Sequence, residues 1–293
     1  MTKTASVKKI KDKRQSKLGE IWRRLKVNKG AVIGLVIIAI LTLMAVFAPY
    51  LAPYDPNKMR VGPNLAKPSI NYPLGTDNFG RDQLSRIIYG ARISLYVGFI
   101  AVGIGAICGG MIGAIVGYYG GRIDNILMRL MDVLLAVPQI ILAIAIVGAL
   151  GANLTNLMIA VGVSQIPRYA RIVRASALSV RGQEFVEAAR AVGASDLRII
   201  LENILPNCMA PIIVQSTLGV AAAILSAAAL SFLGLGIQPP TAEWGSMLSL
   251  GRQYMRNAPH LTFFPGLIIA VVVLALNIFG DGLRDALDPK LRQ

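Results

Sequence analysis

Histidine and cysteine are nearly absent from this chain, and basic residues outnumber acids two to one. Only His260, Cys108 and Cys208 represent the first two types among 293 residues. A lone imidazole cannot build a metal centre and is expected as a loop residue. Two cysteines, one inside an apolar run and one at the start of another, do not make a disulfide framework. No Gly-x-x-x-x-Gly-Lys-Ser/Thr segment occurs, so the usual phosphate cradle for ATP is excluded. Gly-x-Ser-x-Gly, His-Glu-x-x-His and paired acids within apolar runs are also missing, which removes the residue sets of membrane-embedded hydrolases. Thirty bases against fifteen acids leave a net charge of +15, yet aromatics make up only 6% and do not interleave with the bases. Nucleic-acid binding therefore has no separate support.

What the chain has in abundance is apolar length. Hydrophobic residues are 55% of the sequence, and the mean hydropathy is +0.59, too apolar for an ordinary soluble domain. Runs at 30–52, 93–119, 125–150, 154–175, 207–234 and 262–280 are each close to the ~20 residues of a spanning helix. The expected fold is all-α, a polytopic membrane protein with six transmembrane helices. The first run follows a basic stretch, but it exceeds the core of a signal peptide and is expected to remain as a span. The fourth carries Arg168, Arg171 and Arg174, so its end must be leaving the bilayer.

Charge orients the spans. The first 29 residues hold eleven of the thirty bases, including Lys8, Lys9, Lys11, Lys13, Arg14, Arg23, Arg24 and Lys26, against Asp12 and Glu20 alone. By the positive-inside rule this tail is cytoplasmic. Six crossings put 120–124, 176–206 and 281–293 inside, and 53–92, 151–153 and 235–261 outside. The excess of base is then a topology signal, with contact to anionic lipid as the other explanation.

Small residues mark the packing faces. Gly105, Gly109, Gly113, Gly117 and Gly121 recur every four residues and line one helix face that can approach another backbone closely. Ala221, Ala222, Ala223, Ala227, Ala228 and Ala229 make the fifth span small-sided. Outside, Leu84, Ile87, Ile88, Ala91 and Leu95 recur at helical spacing and predict a short amphipathic helix on the interface before the second span. The stretch from Ser231 to Gly245, with Pro239-Pro240 and Trp244, reads as a rigid re-entrant or capping loop. Asp132 is an ionisable residue in the third span and hence a functional candidate. Arg129, one turn earlier, can pair with it, and that structural reading is preferred to a substrate or proton site.

The charged segment 176–206 is the strongest pointer to function. Glu187-Ala188-Ala189-Arg190-Ala191-Val192-Gly193, followed by Ile204-Leu205-Pro206, reads as a hydrophilic helix-turn-helix between spans. Ala188 and Ala189 permit a partner's close approach, Gly193 allows a sharp turn, and Pro206 starts the next span where its missing N–H costs least. An amphipathic surface helix ended by glycine is the plainer alternative.

These residues resemble the loop signature of ABC importer permeases. Glu187, Ala188, Ala189, Gly193, Leu205 and Pro206 fall in register, while the isoleucine position holds Asn203 and Ile204 is displaced by one. Leu74-Gly75-Thr76-Asp77, then Gly80-Arg81-Asp82, Tyr89-Gly90-Ala91-Arg92 and Phe232-Leu233-Gly234-Leu235-Gly236 with Gln238-Pro239-Pro240, resemble a narrower group: the C-type subunit of dipeptide and oligopeptide permeases. The resemblance covers roughly residues 20–290. It implies the type I ABC importer permease fold, a second permease subunit, two cytoplasmic ATPase subunits that use ATP, an extracytoplasmic substrate-binding protein, and a bacterial inner membrane. Relatives of this group also carry nickel, glutathione and other small solutes. Glu187 is expected to anchor the ATPase. No cofactor is expected on this chain, which lacks a stretch long enough for an ATPase domain. An ion-coupled secondary transporter would need its own coupling-ion site and, usually, inverted halves, which six spans with one charged loop fit poorly.

The orientation is testable by labelling. Cysteines introduced at Asn57 and Gly251 are expected to react with an impermeant thiol reagent added outside, and one at Ser195 is not; labelling of Ser195 in sealed cells overturns the topology.

Overall fold

A computed structural model describes residues 17–287. Lys8, Lys9, Lys11, Asp12, Lys13, Arg14 and the tail from 288 lie outside the described residues. In order, the chain forms helices α1 Lys17–Val27, α2 Lys29–Val46, α3 Ala48–Leu51, α4 Gln83–Tyr119, α5 Gly121–Ala136, α6 Gln139–Leu150, α7 Leu154–Val180, α8 Glu184–Ala191 and α9 Asp196–Ile199. A π-helical turn Ile200–Ile204 leads into α10 Leu205–Asn207, then α11 Met209–Phe232, α12 Trp244–Arg252 and α13 His260–Leu287. Among the described residues there is no strand, only an isolated bridge between Thr76 and Asp82. Side-chain caps start the helices: Asn28 accepts from the Ala31 amide, Asp82 from Ser85 and Asn153 from Asn156, each satisfying an N-terminal N–H that has no intrahelical partner.

Four helices, α2, α4, α11 and α13, are long and apolar enough to span a bilayer, and α5 with α6 makes a fifth if that bent pair is one span. The expected third span, 125–150, is therefore not a straight helix. It breaks by 91° because Pro138 has no N–H to continue the ladder and forces the preceding Val137 into extended backbone. The fourth expected span is α7, which runs on to Val180. Its 27 residues give about 40 Å of length, but Arg168, Arg171 and Arg174 leave it outside the apolar set.

The expected interfacial helix before the second span is also corrected. Residues 83–92 are the first turns of α4, a single helix of 37 residues. Its polar residues Gln83, Ser85 and Arg86 are buried instead of facing water, because segments near Pro56, Pro240 and Leu261 fold over them. At about 55 Å, α4 overshoots a ~30 Å hydrocarbon layer, and its first turns carry that cap.

Asp77 organises the cap. Its Oδ1 accepts from the Phe79 and Arg81 amides at 2.9 and 3.0 Å, and its Oδ2 from Arg81 Nε at 2.6 Å. Arg86 donates to the carbonyls of Pro56 at 2.8 Å and Pro240 at 3.3 Å. Trp244, fully buried, donates from Nε1 to the Ile87 carbonyl at 3.0 Å. Glu243 caps α12, accepting from the Gly245 and Ser246 amides at 2.8 Å each. Burial pushes its carboxyl above the usual range, against the pull of those amides. His260, expected as a loop residue, opens α13 and is buried. Gly251 is buried against Leu261 and makes a poor labelling site, whereas Asn57 is exposed.

Within the membrane part, α4 lies along α7. A Cβ at Gly105 would stand 3.0 Å from Gln165 Cβ, one at Gly113 2.5 Å from the Ala170 carbonyl oxygen, and one at Gly117 2.5 Å from Ala177 Cβ; Gly109 abuts the Ile166 carbonyl. Gly121 does not belong to this face. It has φ +58°, starts α5 and has open space around it. Tyr169 of α7, fully buried, reaches across to donate to Ser216 of α11 at 3.3 Å. The bend between α5 and α6 lies beside this assembly, and α2 lies along α13 through Gly34, whose Cβ would meet the Ala275 carbonyl at 2.7 Å.

Gly113→Leu is expected to destabilise the fold by about 1–3 kcal/mol through overpacking, whereas Gly103→Ala, at a helical glycine with nothing within 4 Å, is expected to be neutral or mildly stabilising. Thermal unfolding of the detergent-purified protein measures both; equal stability of the two variants would contradict the seam.

Candidate functional site

Helix α8 is amphipathic and short. Glu184 and Glu187 fall in its first turn and Arg190 in its last, both favourable to the helix dipole. It ends in a Schellman turn: the Ala194 amide donates to the Ala189 carbonyl at 3.1 Å and the Gly193 amide to the Arg190 carbonyl at 3.0 Å. Gly193 takes φ +80°, a conformation that side chains with a Cβ resist. The chain reverses there and re-enters through α9 and the π-helical turn.

One side of this segment is anchored to the membrane helices. Val186, Ile199, Ile200, Ile204, Cys208 and Ile212 form an apolar cluster with Ala114 and Tyr118 of α4 and with Val173 and Ala177 of α7. Ile204 is fully buried while Asn203 is only partly so, so the displaced isoleucine makes the inward contact. A polar clasp adds to it. Tyr118 donates to Asp196 Oδ1 at 2.7 Å and accepts from Arg190 Nη2 at 3.3 Å, and the Arg190 guanidinium lies 5.5 Å from the Tyr118 ring centre. The Tyr118 hydroxyl raises the Arg190 pKa above its ordinary value.

The other side is open. Glu187, Ala188 and Pro206 are exposed, Ala189 and Leu205 half-buried. Phe185, Val192, Leu197 and Leu201 are exposed apolar side chains, Val192 by 84% and Leu197 by 62%. Beside them Ala189, Val192, Gly193, Ala194, Arg198, Glu202 and Asn203 line a groove of about 350 Å³. Apolar side chains gathered on a polar loop are characteristic of a protein-binding face.

The clasp was not legible beforehand, since Tyr118 and Asp196 are 78 residues apart. The only hint is that Tyr118 follows the last packed glycine of α4. The expected Arg129–Asp132 pair is likewise replaced. Asp132 pairs with Arg171 of α7 at 2.7 Å, because packing of α5 on α7 brings that guanidinium closer than a neighbour on the same helix. One turn further on, Arg174 grips buried Asp124 with two bonds of 2.6 Å. Among the described residues no three His, Cys, Asp or Glu side chains gather as metal ligands.

The family described as binding-protein-dependent transport system inner membrane component matches residues 109–293, which include this loop. A second family, the N-terminal transmembrane domain of oligopeptide transport permease C, matches residues 16–68. The chain belongs to the binding-protein-dependent permeases. It is 50% identical over 273 residues to a dipeptide transport system permease protein of Alkalihalophilus pseudofirmus, covering 93% of this chain and 90% of the relative. It is 46% identical over 274 residues to a glutathione transport system permease protein of Escherichia coli, covering 93% and 90%. In fold, this permease resembles the inward-facing methionine ABC transporter with a TM-score of 0.55 at 18% identity, over 69% of this chain and 96% of the other. It is thus a multi-pass membrane protein with the ABC importer permease fold.

Tyr118→Phe removes both hydrogen bonds of the clasp but keeps the ring. Amides of 184–199 are expected to exchange with solvent on the order of tenfold faster, since each bond contributes about 1 kcal/mol, while amides of α4 are unchanged; mass-resolved hydrogen exchange reads both.

Proposed function

We propose that this permease is one of two non-identical transmembrane subunits of an ATP-driven importer for dipeptides or oligopeptides in a bacterial inner membrane. The observation that carries the reading is the two-sided segment 184–206, anchored to α4 and α7 on one side and exposing Phe185, Val192, Leu197 and Leu201 on the other. Cytoplasmic ATPase subunits would cover the exposed side, with Glu187 offering charge to a basic group. ATP then belongs to those subunits. An extracytoplasmic binding protein would deliver solute to the external cap. Peptide is favoured by the relatives named for dipeptide transport; the relative named for glutathione transport supports a modified tripeptide as the second reading.

The six-span topology with a cytoplasmic N-terminus fits this reading if α7 completes the count, with Arg171 and Arg174 paired to Asp132 and Asp124 of α5. Closure of the ATPase pair would move α8 as a rigid body. Through the apolar cluster and the Tyr118 clasp that motion would reach α4 and α7, rocking the helices between inward-facing and outward-facing states.

Gly193→Val forces a β-branched residue to φ +80°, and Glu187→Arg reverses the charge offered to the partner. Normal membrane levels are expected for both, with weakened ATPase co-purification and at least tenfold slower uptake, a loss of about 1.4 kcal/mol in coupling. A compensating charge reversal in the ATPase is expected to restore Glu187→Arg. Full substrate-stimulated ATPase activity and uptake in the double variant would mean that coupling runs elsewhere.

A further inference from the structure

Where α5 meets α7, an exposed ion pair has one further exposed arginine a helical turn away on each helix. Asp132 and Arg171 are joined at 2.7 Å, yet each side chain remains more than half exposed, at 53% and 55%. Arg129 lies one turn before Asp132 and Arg168 one turn before Arg171, so each shares the face of its helix neighbour. Both are exposed and neither has an ion-pair partner among the described residues. The adjacent Arg174–Asp124 pair is different: it is doubly hydrogen-bonded, and the Asp124 side chain is only 10% exposed. That inner pair is structural, and the outer patch is left with an excess of two positive charges.

Depth makes this patch significant. Arg168 follows Leu154, the first residue of α7, by about 21 Å of helical rise, which lies inside a hydrocarbon layer ~30 Å thick. Exposed apolar side chains of α5, Ile126, Leu130 and Val133, flank it. Charges at that depth are strongly unfavourable against lipid and are found facing water-filled cavities or polar partners. An ion pair that is half exposed is also weak, so either member can exchange its partner for a passing solute at little cost.

Building on the importer reading above, we propose that this patch lines the solute path and that Arg168, beside the Asp132–Arg171 pair, is a transit site for the carboxylates of short peptides. A guanidinium presents two parallel N–H donors that match a carboxylate. Asp132, released from Arg171, accepts hydrogen bonds from the peptide ammonium. The two excess positive charges favour peptides with a second carboxylate, and solvent exposure keeps the affinity low enough for release.

The complete transporter, with its second permease, ATPases and binding protein, is reconstituted in vesicles and its uptake of alanyl-glutamate and alanyl-lysine compared. Arg168→Gln is expected to lower the maximal rate for alanyl-glutamate about tenfold and for alanyl-lysine no more than about threefold, with half-saturation nearly unchanged, as for an interaction made during passage instead of capture. Arg168→Lys, which keeps the charge but not the paired donors, is expected to recover part of the loss. Arg168 has no side-chain hydrogen-bond partner among the described residues to forfeit, and membrane levels of the variants are measured alongside. Equal loss for the two peptides, or no loss, overturns the transit site while leaving the importer reading standing. A loss seen in phosphatidylglycerol vesicles but absent in phosphatidylcholine vesicles assigns Arg168 to an anionic lipid headgroup and also overturns it. If the unaltered complex takes up neither peptide, the importer reading falls, and the transit site with it.

Discussion

The close approach of α4 and α7 is the constraint on which the rest of this permease depends. Four glycines at a four-residue spacing remove every Cβ along one stripe of α4, so the backbone of α7 can lie directly against it. In a bilayer, where lipid is as apolar as a side chain, such dense packing is the main force that holds helices together. Other elements take their positions from this pair: α11 through Tyr169 and Ser216, α5 through Asp124 and Arg174, and the cap through the first turns of α4.

Both ends of α4 have been put to use. At its start, Arg86 and the Ile87 carbonyl tie together the segments near Pro56, Pro240 and Trp244, which are far apart in sequence and would otherwise be loose loops. At its finish, Tyr118 holds Arg190 and Asp196. A rigid helix clamped to a cap at one end and to the segment 184–206 at the other can transmit displacement along its length. A flexible connection would absorb it. Gly120 and Gly121, both at positive φ, mark where that rigidity stops and the chain turns into α5.

The charges sort by their surroundings. Asp77 with Arg81 is sealed within the cap over the start of α4, and Asp124 with Arg174 is held within the bundle; each pair is joined by several bonds, as buried ions require. Asp132 with Arg171 is bound by a single contact and left open. Charges of the first kind fix the fold. Those of the second kind stay exposed.

The all-α membrane architecture was legible in the sequence, because apolar length and the glycine repeat depend only on local periodicity. So were the Gly193 turn and the exposed Glu187-Ala188 face, since a positive-φ glycine after a short amphipathic helix is a local pattern. Partners distant in sequence were not. Asp132 faces Arg171 instead of Arg129, and Tyr118 meets Asp196, only because α7 and the segment 184–206 fold back onto α4 and α5. The break at Pro138 and the burial of residues 83–92 likewise needed the assembled helices, for an apolar or amphipathic run does not say whether it continues straight or what covers its polar side. Periodicity alone determines which residues share a helix face; tertiary packing decides which face meets which, because that choice minimises unpaired charge and empty space over the whole bundle at once.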